Sequence, residues 1–339
     1  MARTPATRHA LGFAVKVLGD GGLPSHDTRR WASSPHLRHS LERLEAILAY
    51  LDRHDIRMYR LATALAPYAS HPELTQFHGQ LGECEEDLAR IGALARQLGI
   101  RLSSHPGQYT VLNSEDPDVQ VNAAAELEVQ AQLFDAMGLG PEAVVVLHVG
   151  GAAGGVAQGA ERFLRGFELL SERARARLVI ENDDRSYGIA AVAGLAERCG
   201  LRVVWDALHH HCHDPESMPE RDALAAALGT WPEDQVPKIH YSSPRLDVEE
   251  RRVKRDRRME RQLVLPQLRA HADLIDPLGF ERFLRDARDL RDFDVMLEAK
   301  AKDLALLRLR EQLAARGFEF GAGSLVLPHS AETAPPSAR

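Results

Sequence analysis

Histidine and carboxylate side chains recur along this chain, each at or just beyond the end of a short apolar run. The runs read RLSSH, VVVLH, RLVIE, RVVWD, KIH and VMLE, and the side chains are His105, His148, Glu181, Asp206, His209, His240 and Glu298. Imidazole and carboxylate ligands suit zinc, manganese or iron better than an ion that prefers thiolates. Seven ligands are too many for one ion, so the pattern predicts a site for two or three divalent ions.

Adjacent divalent ions serve two kinds of reaction. In phosphodiester hydrolysis, one ion acidifies the attacking water while the others stabilise the charge on the phosphate and the leaving oxygen. In sugar isomerisation, the ions polarise neighbouring oxygens of the sugar. The number of metal ligands does not separate these reactions, so a nuclease and a sugar isomerase both remain open at this point.

The elements that position these side chains read as alternating strands and helices. Apolar, β-branched runs predict strands near 10–17, 57–62, 101–104, 143–148, 177–181, 202–206, 237–241 and 294–298. Amphipathic stretches lie between them, and several end at a glycine. Eight such units predict a TIM (β/α)₈ barrel, which brings the C-terminal ends of all its strands to one face. We therefore expect a single domain over residues 1–325, with the metal site on that face, and a disordered tail over 326–339.

Composition narrows the classes of protein. The chain has 339 residues and a net charge of -7, which argues against binding nucleic acid through bulk charge alone. One segment, RRVKRDRR at 251–258, is strongly basic. We interpret it as a solvated helix face or a mobile loop, with contact to a polyanion as the alternative. It lies in the second of two long predicted loops, 18–35 and 242–270, both expected on the active-site face.

Targeting and redox signals are few. No apolar run approaches the roughly 20 residues of a membrane span, and the first residues lack a signal-peptide pattern. We expect a soluble cytoplasmic protein with no membrane contact and no obligate protein partner. The three cysteines are widely spaced, which supports neither a disulfide framework nor a cysteine-based zinc site.

Eight short strings, taken together and in order, resemble one known family. They are LGF, YASHP, SSHPGQY, LHVGG, IENDD, WDALHHH, PKIHYSS and EAK, and they span residues 10 to about 305. This arrangement resembles the UV damage endonucleases, which are related in fold to endonuclease IV. The resemblance implies a metal-dependent hydrolase that nicks double-stranded DNA immediately 5′ of cyclobutane pyrimidine dimers and 6-4 photoproducts, leaving a 3′-hydroxyl and a 5′-phosphate.

The same resemblance implies a particular site. It predicts two or three Mn²⁺ ions and adds His71 and His271 to the seven ligands above. Glu181, Lys238 and His240 are the expected catalytic residues. Lys238 precedes His240 by two residues, so both side chains face the same side of their strand. A cationic lysine facing metal ions would be repelled, and the resemblance implies that Lys238 is carboxylated.

Lesion recognition is expected from Gln108, Tyr109 and Phe13. Gln108 and Tyr109 match a pair that, in the family, enters the duplex at the lesion, and Phe13 stands where the family often has tyrosine. UV-damaged double-stranded DNA is thus the expected partner. Three alternatives stay open: an abasic-site endonuclease of the endonuclease IV type, a sugar isomerase on the same fold, and a non-catalytic metal-binding module.

Overall fold

A computed structural model describes residues 8–255 and 258–327. The strands in these ranges are β1 Arg8–Ala14, β2 Met58–Arg60, β3 Arg101–Ser103, β4 Val145–His148, β5 Leu178–Glu181, β6 Arg202–Val204, β7 Lys238–Tyr241, β8 Glu249–Arg255, β9 Arg258–Val264, β10 Asp294–Leu297, β11 Glu319–Gly321 and β12 Ser324–Val326. The helices are α1 Leu37–Arg53, α2 Gln80–Glu83, α3 Glu85–Gln97, α4 Pro117–Ala136, α5 Val156–Glu168, α6 Glu172–Arg177, α7 Ile189–Cys199, α8 Ala207–Cys212, α9 Glu220–Gly229, α10 Pro277–Asp286 and α11 Lys302–Ala314.

The eight predicted strands are β1 to β7 and β10, and all their pairings with one another are parallel. One sheet has the order β3-β2-β1-β10-β7, and a second has the order β4-β5-β6. Parallel bridges from Ser104 to Val145 and from Asp206 to His240 connect the two sheets at both junctions. Helices separate successive strands. The arrangement is therefore an α/β fold of the TIM type, as the alternation of elements predicted.

Alternate side chains along each strand face either the core beneath the helices or the inner side of the sheet. In β1, Phe13 belongs to the large core beneath the helices, together with its register partners Tyr59 and Leu297. Ala14 lies in a separate small cluster with Met58 and Met296, on the other side of the sheet. Successive residues of a strand point to opposite faces, so this inner side is the one shared by Met296 and its partner His240.

Local sequence explains the helix boundaries. Helix α4 begins after Asp116, whose side chain accepts a hydrogen bond from the Asp118 N–H at 2.9 Å, with Pro117 in the first turn. Helix α7 ends at Gly200, which adopts a left-handed conformation (φ 66°). On α1, buried residues recur at three- and four-residue spacing, from Leu37 to Leu51, and this stripe faces the core.

Two predictions about loops are corrected. Over its described residues the basic segment is neither a helix face nor a loop, since 249–255 and 258–264 pair as the antiparallel strands β8 and β9, named here the β8–β9 hairpin. The predicted tail begins too early, because Val326 ends β12, which pairs with β1. The remainder of that tail, 328–339, lies outside the described residues, as do 1–7 and 256–257. Within the described ranges no helix is long and apolar enough to cross a membrane.

Candidate metal centre

The carboxylate of Glu181, at the end of β5, lies at the centre of the predicted ligands. It is fully buried. One of its oxygens accepts a hydrogen bond from His105 Nε2 at 2.9 Å, and the other accepts one from His240 Nδ1 at 2.8 Å. His148 Nε2 lies 3.7 Å from the same carboxylate. Side chains on or just beyond three other strands therefore meet at this glutamate.

Asp206 and His209 form the next part of the cluster. Asp206 follows β6 and precedes the short helix α8, so its Oδ1 accepts the His209 N–H at 2.7 Å. His209 Nδ1 lies 3.6 Å from Glu181 and donates to the Asn182 carbonyl oxygen at 3.0 Å. Asn182 also pairs with the Asp206 backbone through both of its amide atoms, at 2.8 and 3.1 Å. The buried Asn182 thus fixes both ligands.

Glu298, which follows β10, is the member of the cluster that lies beside His240 of β7. Its carboxylate lies 3.4 Å from His240 Nδ1 and 3.7 Å from His271 Nδ1. It also makes a short ion pair with Arg60 at the end of β2. His271 reaches this position through an antiparallel bridge to Pro244. The structure therefore places His271 in contact with the cluster.

Three groups of these side chains have the geometry to hold an ion. They are His105–His148–Glu181, Glu181–Asp206–His209 and Asp206–His240–Glu298, in each of which one potential ligand atom per residue lies within 4.8 Å of the others. Glu181 and Asp206 each belong to two groups. Three ligand atoms are buried and lack a hydrogen-bond partner among the described residues, namely His148 Nδ1, Asp206 Oδ2 and His240 Nε2. Buried polar atoms rarely stay unpaired, so the donor set suits divalent cations.

Burial and mutual charge shift the pKa values of these groups in different directions. Burial, with Glu181 and Glu298 nearby, raises the pKa of Asp206 to about 7 despite the opposing effect of His209. Burial alone would lower the pKa of His209, but Asp206, Glu181 and Glu298 raise it to about 9. Burial lowers the pKa of His240 to about 4. Without metal, the cluster holds its protons mainly on Asp206 and His209 near neutral pH.

Glu181 and Glu298 behave differently from Asp206. Burial would raise both pKa values, but neighbouring basic side chains hold them well below the usual range: His240 and His148 act on Glu181, and Arg60 and His240 act on Glu298. Both carboxylates are therefore anionic at neutral pH and available to ligate cations.

Lys238 lies on the inner side of the sheet, as predicted from its spacing to His240. Its register partner is Asp294, two residues before the partner of His240. The side chain is fully buried, and Nζ donates to Ser103 Oγ at 2.9 Å. Burial, together with Arg60 and Arg101, lowers its pKa well below the usual value. Burial therefore favours the uncharged amine, which keeps a lone pair.

The three predicted lesion-probing residues occupy very different environments. Gln108 and Tyr109 lie in an exposed turn after His105, and Tyr109 is 85% exposed. Phe13, in contrast, is completely buried, and its ring packs edge-to-face on Tyr59 at a centroid distance of 5.5 Å. The predicted role of Phe13 is therefore corrected, because its ring points into the core beneath the helices and is not available for stacking on DNA.

His71 lies apart from the ligand groups. Its Nδ1 accepts the Glu73 N–H at 3.2 Å, and its ring packs near Tyr68. Neither His71 nor His271 belongs to the three groups found among the described residues. Their assignment as ligands stays a prediction based on resemblance.

Sequence reasoning missed two residues of this site. Arg60 follows an apolar run just as the ligands do, and the same strand-end rule would have selected it. Asn182 directly follows Glu181 in the string IENDD. Its role depends on hydrogen bonds to the backbone of Asp206, 24 residues away, which the sequence does not reveal.

The fold and the cluster define an α/β protein of the TIM type with a candidate site for several metal ions at the ends of its strands. Comparison with known proteins identifies the family. Residues 36–320 match the model of the UV-endonuclease UvdE family. The chain belongs to this family, as its motifs predicted.

Individual relatives agree with this assignment. A UV DNA damage endonuclease of Bacillus cereus (strain G9842) is 32% identical over 293 residues, which cover 86% of each chain. The crystal structure of SacUVDE matches with a TM-score of 0.78 at 28% identity, covering 91% of this chain and 99% of that one. A putative xylose isomerase from Rhodospirillum rubrum matches with a TM-score of 0.57 at 15% identity, a likeness that concerns the fold alone.

Proposed function

We propose that this protein is a metal-dependent endonuclease that nicks double-stranded DNA immediately 5′ of UV photoproducts and leaves a 3′-hydroxyl and a 5′-phosphate. The observation that carries the proposal is the linked set of three ligand groups around Glu181 and Asp206 in a chain of the UV-endonuclease UvdE family. Cyclobutane pyrimidine dimers and 6-4 photoproducts are the proposed lesions.

Two or three divalent ions, proposed to be Mn²⁺, fit the donor set. When bound, such ions activate water and stabilise the charge that develops on the phosphate and the leaving oxygen. The protein contributes fixed ligands: Glu181 and Asp206 each lie between two groups, and their orientation is held by His105, His240 and Asn182. His71 and His271 are proposed to complete the coordination. Because the ligands sit on or just beyond strand ends, little reorganisation is needed.

Lys238 is proposed to be carboxylated. Its amine is buried, has a pKa held well below the usual value, and makes one hydrogen bond to Ser103, so in its uncharged form its lone pair can attack carbon dioxide and form a carbamate with loss of one proton. The resulting anion would suit a site with several cations. Mass spectrometry of the native protein should show an added CO₂, and Lys238→Met should abolish that mass increase. An unmodified native protein in bicarbonate buffer would contradict the proposal.

Recognition of the lesion is proposed to depend on Gln108 and Tyr109. A solvent-exposed aromatic ring beside a predicted metal ligand can stack where a damaged base pair has opened, and such stacking contributes about 1–3 kcal/mol per base. Damaged pairs cost less to open than intact ones, which gives selectivity for the lesion without reading base sequence.

The test is nicking of a duplex that carries one cyclobutane dimer, with an abasic duplex and an undamaged duplex as comparison substrates. With Mn²⁺, the protein should cut the dimer strand once, on the 5′ side. Glu181→Gln keeps the size of the side chain but removes its charge, and should reduce the rate by at least about 10³-fold. Failure of the parent to cut the dimer strand would refute the proposal, and preference for the abasic duplex would favour the endonuclease IV-type activity.

Substitutions of Tyr109 test lesion recognition in the same nicking assay. Tyr109→Ala should lower kcat/KM on the dimer substrate by about 10- to 100-fold, from the loss of stacking. Tyr109→Phe, the matched control, keeps the ring and should retain most of the activity. Equal activity of Tyr109→Ala and the parent would remove Tyr109 from lesion recognition while leaving the metal chemistry untouched.

A further inference from the structure

The β8–β9 hairpin lies between His240 and His271 in the chain, and its residues have no role in the chemistry described above. Its first residue, Glu249, follows His240 by nine positions, and its last, Val264, precedes His271 by seven. Its root is held by the Pro244–His271 bridge and by a hydrogen bond from the Arg245 N–H to the Ala270 carbonyl oxygen at 2.7 Å. The hairpin is therefore anchored between two predicted metal ligands, on the side of the strand ends.

The hairpin carries a charge opposite to that of the chain. The segment 251–258 holds six basic residues and one acid in a chain of net charge -7. Two acids lie at the root, where Glu249 pairs with Arg251 at 2.8 Å and Glu250 pairs with Arg261 at 3.1 Å. A third acid, Glu260, lies opposite Val253, on the other face of the hairpin from Arg252 and Lys254. Away from the root, no carboxylate of the described residues pairs with Arg252 or Lys254.

Strand register brings three cations to one face. In an antiparallel pair, directly opposed residues share a face, and Arg252 lies opposite Arg261 while Lys254 lies opposite Met259. Arg252, Lys254 and Arg261 are all exposed. This face, the cationic face, therefore carries three cations and one acid, Glu250, which pairs with Arg261.

The pairing is unfavourable for the hairpin itself. Like charges that oppose one another across strands destabilise the pairing, and this register opposes Arg252 to Arg261. An isolated two-stranded hairpin is marginal even without such pairs. Arg261 also makes a cross-strand ion pair with Glu250, but Arg252 and Lys254 have no such pair among the described residues, so an anionic partner would relieve the repulsion that remains.

We propose that the cationic face of the β8–β9 hairpin binds the phosphate backbone of duplex DNA beside the metal centre, through Arg252, Lys254 and Arg261. The identity of the partner as DNA rests on the proposed function. Contacts to phosphate position a protein on the duplex without reading its sequence. The hairpin therefore adds affinity that is sensitive to salt and independent of the lesion.

The experiment measures binding to an undamaged duplex by fluorescence anisotropy, with Mn²⁺ present, over a range of salt concentrations. A triple variant, Arg252→Gln, Lys254→Gln and Arg261→Gln, should lower the magnitude of the slope of log K against log salt by about 2 to 3, since each phosphate contact contributes about 0.9. On the dimer duplex, KM should rise while the single-turnover rate at saturating DNA stays unchanged.

Two controls isolate the effect. The first control makes the same change in net charge with exposed residues of the outer helices α5, α10 and α11, and should keep the parent slope. It combines Arg165→Gln, Arg282→Gln and Arg308→Gln. Arg252→Lys with Arg261→Lys retains the charges and should keep the parent slope too. These controls separate local contact from the overall charge of the protein.

Two results would overturn the proposal. One is equal slopes for the hairpin variant and the outer-helix variant. The other is an unchanged slope together with a loss of self-association in sedimentation velocity, which would assign the hairpin, with its exposed Met259 and Leu263, to contact between two copies of the chain. If the parent fails to nick the dimer but the hairpin variant still lowers the slope, the proposed activity fails while the DNA contact stands.

Discussion

Binding of metal ions to this site should release protons in a pattern set by its buried carboxylates. Ligand atoms must be deprotonated, so each proton that the metal-free site holds is displaced when ions bind. The relevant groups are Asp206, with a pKa of about 7, and His209, with a pKa of about 9. His240, with its pKa lowered to about 4, contributes no proton above pH 6.

The expected numbers follow from these values. At pH 8, His209 holds about 0.9 proton and Asp206 about 0.1, so loading the site releases about one proton. At pH 6 the two groups together release about 1.9 protons. A site built from histidines and carboxylates with ordinary pKa values would release almost none at pH 8, because those groups are already deprotonated there.

The sign of the pH dependence is fixed by the same linkage. Apparent affinity for Mn²⁺ should rise with pH, by about tenfold per unit near pH 8 and by close to a hundredfold per unit near pH 6. Isothermal titration calorimetry in two buffers of different ionisation enthalpy, at pH 6 and pH 8, measures the number of protons directly. The double variant Asp206→Asn, His209→Gln should remove the proton released at pH 8, since removing His209 alone would raise the pKa of Asp206. Binding without proton release at pH 8 would refute the electrostatic description of the site.

Three further predictions test stability and metal linkage. With chelator present, the free energy of unfolding should fall as pH rises from about 7 to 9. The reason is that His209, whose pKa is raised in the folded state, loses the proton that stabilises the fold. A free energy of unfolding that does not change over this pH range would contradict the prediction. Added Mn²⁺ should raise the melting temperature, with a gain of about 2.7 kcal/mol at a hundred times Kd, and an unchanged melting temperature would argue against binding. Gly92→Ala should lower the free energy of unfolding by about 2–3 kcal/mol or more, because a Cβ there would lie 1.8 Å from the Met137 carbonyl oxygen. Gly194 is a helical glycine with open space around it, so Gly194→Ala should be neutral or stabilising. Urea unfolding measures both variants, and equal effects would contradict the packing argument.

The sequence predicted the eight strands that pair in parallel, and it did so for a physical reason. Strands buried on both faces, such as β4 and β5, require continuous apolar runs, which stand out from the amphipathic helices around them. Seven of the candidate ligands then follow from position, since a polar side chain at or just after such a run lies at the strand end. Arg60 obeys the same rule, but an arginine is not a metal ligand, so a pattern of imidazole and carboxylate groups does not include it.

Other features depend on geometry that no local pattern encodes. Phe13 and Ala14 are neighbours in β1, yet one lies in the core beneath the helices and the other on the inner side of the sheet. A shift of one residue would exchange them, and composition gives no means of choosing. The β8–β9 hairpin was missed for another reason: its charged residues have low intrinsic strand preference, and pairing across the turn, rather than propensity, makes them a strand.

The two segments proposed to contact DNA are the turn that contains Tyr109 and the β8–β9 hairpin, and both are more exposed than the predicted metal ligands. Glu181, Asp206 and His240 are fully buried and are positioned by strands paired on both sides, whereas Tyr109 and the β8–β9 hairpin project into solvent. Ions need ligands held within tenths of an ångström, but a duplex that varies in shape around a lesion needs contacts that can adjust. If the proposals hold, substitutions in the buried cluster should lower the rate at saturating DNA, and substitutions in the hairpin should change only KM. That separation is a direct consequence of placing the chemistry on strand ends and the recognition on the loops that follow them.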